Sequence, residues 1–343
     1  MRRGRAGRWV LGSFIAAVLA GASLLGLAWR DLEEFRSNPY GSDDEKLVEI
    51  PRGASLGTTI HALSRAGVLS NERLAWLYAR YLRRDRRAVK AGEYAFRGAL
   101  PPDEVLDRLY RGAARVFRFT IPEGVRMDEI AAIVERSGAA RAEELLLLMR
   151  DDKVAWKLGI PAVSLEGFLF PDTYTFVGRP LPHAILEAMV RRHDEEWKQI
   201  EADRAPGIDL GQVQLVTLAS IVEKETGNPS ERPRISCVLH NRLRKGMPLQ
   251  ADPTVMYATL LRTGRWSNDI TRPDLRSTNP YNTYTRTGLP PGPIASPGRA
   301  SLRAAVHPAD CDELYFVARN DGTHAFCRDL ECHNTEIHRW QLR

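Results

Sequence analysis

No block of lysine and arginine in the 343 residues is dense enough to grip a nucleic-acid backbone, although the formal net charge is +6. Nucleic acid is therefore not an expected partner. The mild positive balance suits a protein working beside anionic lipid or an anionic polymer. Cysteine is scarce: Cys237, Cys311, Cys327 and Cys332 are the only four. They could close up to two disulfides in an oxidising compartment. With His307, His324 and His333 they could instead suggest zinc. Their spacing matches no common Cys/His ligand pattern, so structural cysteines are the better reading and no metal is expected. The composition is not that of a disordered chain either. Hydrophobic residues make up 43% and charged residues 27%, enough for one large or two modest cored domains.

The N-terminus is where apolar residues concentrate. Arg2, Arg3, Arg5 and Arg8 precede an uncharged stretch over residues 9–29, bounded by Trp9 and Trp29 and followed by Arg30, Asp31 and Glu33. At about 1.5 Å per residue the stretch can span a hydrocarbon core of roughly 30 Å. Tryptophans suit both interfaces, and the basic residues 1–8 favour the cytoplasm. The sequence thus predicts a transmembrane helix with the rest of the chain outside. The alternative is a cleaved signal peptide, but the apolar run continues through Leu24, Leu25 and Leu27, past the small residues that would mark a cleavage site.

Residues 30–45 are polar and broken by Pro39 and Gly41, and read as a linker. Leu47, Val48 and Ile50 then suggest a strand, followed by helix patterns on Ile60, Leu63 and Val68 and on Leu74, Leu77 and Leu82. A returning strand is expected at residues 92–96. This β-α-α-β order suits a small LysM-like module over residues 46–113, ahead of a larger helix-rich domain over 114–343. A strand, a Pro/Gly turn and a helix with Ile130 and Ile133 partly echo the pattern about seventy residues later. The chain then reads as mostly helical to about residue 262. Residues 277–298 carry Pro280, Pro290, Pro291, Pro293 and Pro297, and can be neither helix nor central strand. Such a long loop is usually functional or disordered, and its interleaved Tyr281, Asn282, Thr283 and Tyr284 favour function. A short helix near Leu302, a strand at residues 314–318, the turn Asn320-Asp321-Gly322, a second strand and a helix end the chain. The fold class is α+β.

Over residues 212–227 the pattern is that of an amphipathic helix ended by Gly227 and Pro229. At about 100° per residue, Leu215, Leu218, Ile221 and Val222 share one face. Glu225 falls on that stripe and Glu223 does not, so the periodicity aims Glu225 inward. Desolvation would raise its pKa and keep it protonated as a general acid; a structural glutamate bonded to a buried arginine fits the spacing equally well. Farther on, Asn241 and Arg242 could serve a site or cover the surface. Asp252 before Pro253 reads as a helix N-cap, and Gln250 has no such structural reason.

The strings LEGFLFPDTYTF (165–176), LASIVEKETG (218–227), VLHNRLRKGMPLQADPTVMYA (238–258), NPYNTYTRTGLPPGPIASPG (279–298) and AAVHPADCDELYFVARNDGTHAF (304–326) stand in order. They closely resemble the YceG-like endolytic murein transglycosylase family, from about residue 45 to the end of the chain. The resemblance implies cleavage within peptidoglycan glycan strands, without a cofactor, by a bacterial protein anchored in the inner membrane with its catalytic domain in the periplasm. It implies that Glu225, the second acid of the Glu-Lys-Glu triplet, is catalytic. Gln250, Asn282 and Tyr284 are the candidates for holding sugars, and penicillin-binding peptidoglycan synthases are candidate partners. Two other classes remain open: a non-catalytic peptidoglycan-binding scaffold, and a zinc hydrolase using the C-terminal His/Cys set.

Overall fold

With 26 glycines and 21 prolines to interrupt it, the chain builds mostly short elements. The computed structural model describes residues 4–83 and 88–341, with side chains along the first helix from residue 18 onward. The basic tail 1–8 and the first half of the expected span therefore lie outside the described side chains. The chain divides into two units, Met1–Phe117 with Phe176–Arg179, and Arg118–Thr175 with Pro180–Arg343.

The first unit opens with a long helix, α1 (Gly4–Ser37). There follow β1 (Lys46–Ile50), α2 (Leu56–Arg65), α3 (Glu72–Leu77) with a π-helical turn over Tyr78–Leu82, β2 (Gly92–Phe96) and α4 (Pro102–Arg111). This is the expected β-α-α-β order. Strands β1 and β2 pair antiparallel, from Lys46 opposite Phe96 to Ile50 opposite Gly92. The pleat turns Val48, Ile50, Tyr94 and Phe96 inward, onto Ile60 and Leu63 of α2 and Val105, Leu106 and Leu109 of α4. The expected linker is shorter than residues 30–45. Helix α1 runs on to Ser37 because Leu32 and Phe35, three apart, share the face that packs on this core, where Phe35 is 7% exposed. Among the described residues, no helix is long and apolar enough to cross a membrane.

Next in the chain come β3 (Val116–Thr120), α5 (Met127–Arg136), α6 (Ala142–Met149), α7 (Asp152–Lys157), β4 (Thr173–Val177) and α8 (Pro182–Glu201). They are followed by α9 (Gln212–Glu225), α10 (Arg232–Arg244), α11 (Asp252–Thr263), α12 (Arg272–Leu275) and α13 (Arg299–Val306). A hairpin of β5 (Tyr315–Ala318) and β6 (His324–Cys327) and a last helix, α14 (Leu330–Trp340), complete the chain. Strand β4, which pairs with β3, interrupts the region read as helical. Its sequence Thr-Tyr-Thr-Phe-Val is β-branched and aromatic throughout, and that composition was the available signal. Helix α9 lies at the centre of the second unit, packed by α13, α10 and α11.

Candidate active site

Helix α9 is not amphipathic. Residues 215–222 are all buried, as in a helix enclosed on every side. One stripe therefore cannot separate the two acids at its end, and Glu223 does not project to solvent. Its side chain is only 6% exposed. Glu223 accepts from Arg232 Nη2 at 2.9 Å and from the backbone N–H of Gly298, the N-cap of α13, at 3.0 Å. Lys224 donates to the Gly124 carbonyl at 3.1 Å and lies over the Trp266 ring. Glu225 is the last residue of the helix. The stop comes just before Gly227, with Thr226 already extended.

Partnership separates the acids where the periodicity did not. No protein group among the described residues hydrogen-bonds the Glu225 carboxyl, which instead opens on a cavity of about 400 Å³. Its surface is partly open to that cavity, yet the protein around it desolvates the group and pushes its pKa up to about 8. The Asp252 carboxylate adds to the rise and the Arg242 guanidinium opposes it. A third acid, Glu166 of the LEGFLF string, is also pushed to about 8 by burial. Both its oxygens are occupied, by the Met127 N–H at 3.0 Å and the Tyr257 hydroxyl at 3.1 Å, so it ties α5 to α11.

The cavity wall comes from distant parts of the sequence: Glu225, Arg242, Gln250, Asp252 and Tyr284 on one side, Phe316 and His324 of the hairpin and His333 of α14 on another. Arg242 is buried, contrary to a surface role. It donates to the carbonyls of Leu314 (2.6 Å) and Leu249 (2.9 Å) and lies over the Tyr315 ring. Asn241, likewise buried, donates to the carbonyls of Cys311 and Glu313. Gln250 lines the cavity in a left-handed conformation, φ 52°, unusual for a residue with a side chain. Its Oε1 accepts from Arg242 at 3.3 Å and its N–H donates to Thr283 at 3.1 Å. Asp252 is not an N-cap. It is the first residue of α11, after the N-cap Ala251, and accepts from the Tyr284 hydroxyl at 2.6 Å.

Asn282 is not on the cavity wall. It is fully buried, and its amide nitrogen donates to the carbonyls of Asp274, Leu275 and Ser277 while its oxygen accepts from the Tyr284 N–H. It shapes the loop that presents Tyr284. The far end of that loop is buried as well. The Ile294 N–H donates to Ser220 of α9, and Ser296 exchanges backbone bonds with residues 124–125. Gly167, at φ +83, meets it so closely that a Cβ would stand 2.3 Å from Pro293, so the LEGFLF string requires glycine there.

Two disulfides close the cysteines, Cys237–Cys311 and Cys327–Cys332. No thiolate is left for zinc, and no cluster of three or more potential ligands occurs among the described residues. A larger cavity of about 650 Å³, along residues 205–210 and 307–311, is lined by none of Glu166, Glu223 and Glu225. Size therefore does not locate the chemistry. Arg242, Asp252, His324 and His333 all stand inside or beside the recognisable strings; only their convergence on one wall was invisible.

The YceG-like family model matches residues 48–339. A protein of Bacillus subtilis (strain 168) named endolytic murein transglycosylase is 31% identical over 303 residues, which cover 84% of this chain and 82% of that protein. One of the same name from Streptococcus pneumoniae (strain ATCC BAA-255 / R6) is 26% identical over 333 residues, covering 87% of this chain and 59% of that protein. The crystal structure of a YceG-like protein from Listeria monocytogenes is 31% identical, with a TM-score of 0.57, and covers 86% of this chain and all of that one.

Proposed function

Because the chain belongs to the YceG-like family, we propose that it cleaves peptidoglycan glycan strands internally, at the β-1,4 bond between N-acetylmuramic acid and N-acetylglucosamine. One observation carries the reading. Of four enclosed acids in the motifs, Glu166, Glu223, Glu225 and Glu313, Glu225 alone lacks a hydrogen-bond partner among the described residues and faces a cavity, and with a pKa near 8 it is protonated at neutral pH.

Glu225 donates its proton to the glycosidic oxygen as the C1–O bond of the muramyl residue breaks. The carboxylate then takes the proton of the same sugar's C6 hydroxyl, whose oxygen bonds to C1 and closes a 1,6-anhydro ring. Glu225 ends protonated, as it began, and no water is consumed. Asp252 stays engaged by Tyr284 and holds the Glu225 pKa up by its charge. Gln250 and Tyr284 face the sugars from the cavity wall. A hydrolase would use Asp252 differently, as a second carboxylate activating water.

The same reading places the chain in the inner membrane by α1 and its catalytic unit in the periplasm, beside the synthases that extend the strands. Val18, Leu19, Leu24, Leu25 and Trp29 of α1 are all more than half exposed, an apolar surface that lipid would cover. Two disulfides suit an oxidising compartment. The β-α-α-β unit is read as LysM-like, a peptidoglycan-binding module.

Digestion of purified peptidoglycan followed by mass analysis tests the activity. Anhydromuramyl ends, lighter by one water than reducing ends, are expected, and Glu225→Gln should lower their formation by about 10²–10⁴-fold or more. Reducing ends would replace this reading with hydrolysis. Glycan binding without any product would make the protein a scaffold.

A further inference from the structure

Glu231 stands at the N-cap of α10, where an acid could serve its own helix, yet its side chain makes no cap bond. Both its oxygens go to one residue 93 positions later. Oε1 accepts from the backbone N–H of His324 at 2.9 Å, and Oε2 lies 2.7 Å from His324 Nδ1. The two side chains are largely enclosed, and the imidazole is edged by Phe316, ring centroids 5.5 Å apart. A carboxylate on Nδ1 holds the proton there and leaves the lone pair of the neutral ring on Nε2. No protein group among the described residues bonds Nε2, and His324 lines the cavity that Glu225, Gln250 and Tyr284 share. The β-hairpin register sets the ring there, with His324 opposite Ala318, itself on the wall.

We infer that His324 is a substrate-holding residue, its Nε2 accepting a hydrogen bond from a sugar hydroxyl in the cleft, with Glu231 the positioning residue that fixes the ring. The inference rests on the glycan-cleavage reading above. The chemistry selects a donor: in the neutral imidazole with its proton on Nδ1, Nε2 accepts, and a glycan presents hydroxyls along its whole length. The site is asymmetric in a useful way. Arg242, the permanent cation on the wall, commits its Nε and Nη1 donors to backbone carbonyls and Gln250. A neutral acceptor is then left to complement the protonated Glu225. A tie between α10 and β6 would need only Nδ1 and the backbone N–H, and would leave the presence of His324 on the cavity wall unused.

Affinity of an uncrosslinked glycan strand is measured in the silent Glu225→Gln protein, alone and combined with His324→Phe or His324→Gln. His324→Phe should weaken binding about three- to tenfold, the worth of one neutral hydrogen bond. His324→Gln, whose carbonyl can reach the Nε2 position, should restore most of it. In the active enzyme His324→Phe should act mainly on KM. Both variants lose the Nδ1 bond to Glu231 alike, so equal weakening by the two would mean a structural tie and overturn the inference, as would undiminished binding by His324→Phe. If His324→Phe does not fold, the Nε2 resonance of His324 in the Glu225→Gln protein decides: it should shift on titration with the strand, and constancy overturns the inference. Anhydro-end formation by the unsubstituted protein is scored separately, so failure of the activity reading is distinguishable from failure of this one.

Discussion

A carboxyl held protonated for catalysis should cost the fold stability as pH rises, and Glu225→Gln measures that cost. Its folded pKa of about 8 stands above the ordinary 4.5. Between those values the native state binds a proton that the unfolded chain has released. The associated stability is therefore complete below about pH 4.5 and is lost as pH climbs through about 8. At about 1.36 kcal/mol per pH unit, the gap bounds the loss at about 5 kcal/mol. Glu225 keeps surface open to the cavity, and water entering there reduces the figure to about 1–2 kcal/mol. Glutamine has nearly the same size and does not titrate. Denaturant unfolding of both proteins at about pH 5 and pH 9 gives the difference, and the pH response of Glu166, common to both, cancels. Wild type should fall by about 1–2 kcal/mol more than Glu225→Gln over that interval. The alkaline limb of the pH–rate profile should fall in the same range, because one carboxyl governs both. A wild-type-to-variant difference independent of pH, or one that grows in favour of wild type as pH rises, would refute the reasoning.

Glu223→Gln should behave oppositely: it unbalances the buried Arg232 and should cost about 2–4 kcal/mol in unfolding free energy, while anhydro-end formation by the folded fraction stays within a few-fold of wild type. Asp252→Asn removes the charge that helps hold the Glu225 pKa up, so the alkaline limb should move to lower pH; an unmoved limb would exclude Asp252 as a cause. Of the disulfides, Cys237–Cys311 closes a separation of 74 residues and Cys327–Cys332 one of 5. Loop-closure entropy gives about 4 and about 2 kcal/mol, and paired Cys→Ser variants should rank in that order by unfolding midpoint.

Much of the chain is legible in its residues. Alternation at residues 46–50 and 92–96, the Asn320-Asp321-Gly322 turn, with Asn320 at φ 63° and Gly322 at φ +85°, and the prolines of 277–298 mark elements that the structure contains, because each depends on a few neighbouring backbone angles. The boundaries at Ser37 and β4 were harder. Phe35 extends α1 by burying itself in a core assembled from later sequence, and the Thr-Tyr-Thr-Phe-Val strand needs β3, over fifty residues away, as its partner.

An acid-bearing helix ending at residues 223–225 in front of a proline-rich loop is readable from the residues alone. What each acid does depends on which distant elements pack beside it. Helical periodicity describes rotation about one axis, and it loses its power to discriminate when a helix is surrounded, as α9 is. Glu223 was committed by Arg232 and by the N-terminus of α13, and Asn282 by three carbonyls of its own loop. Hairpin, loop and last helix close around Glu225, and among the described residues none offers it a hydrogen-bond partner. A side chain's freedom is fixed by which distant groups arrive beside it, and no local pattern encodes that.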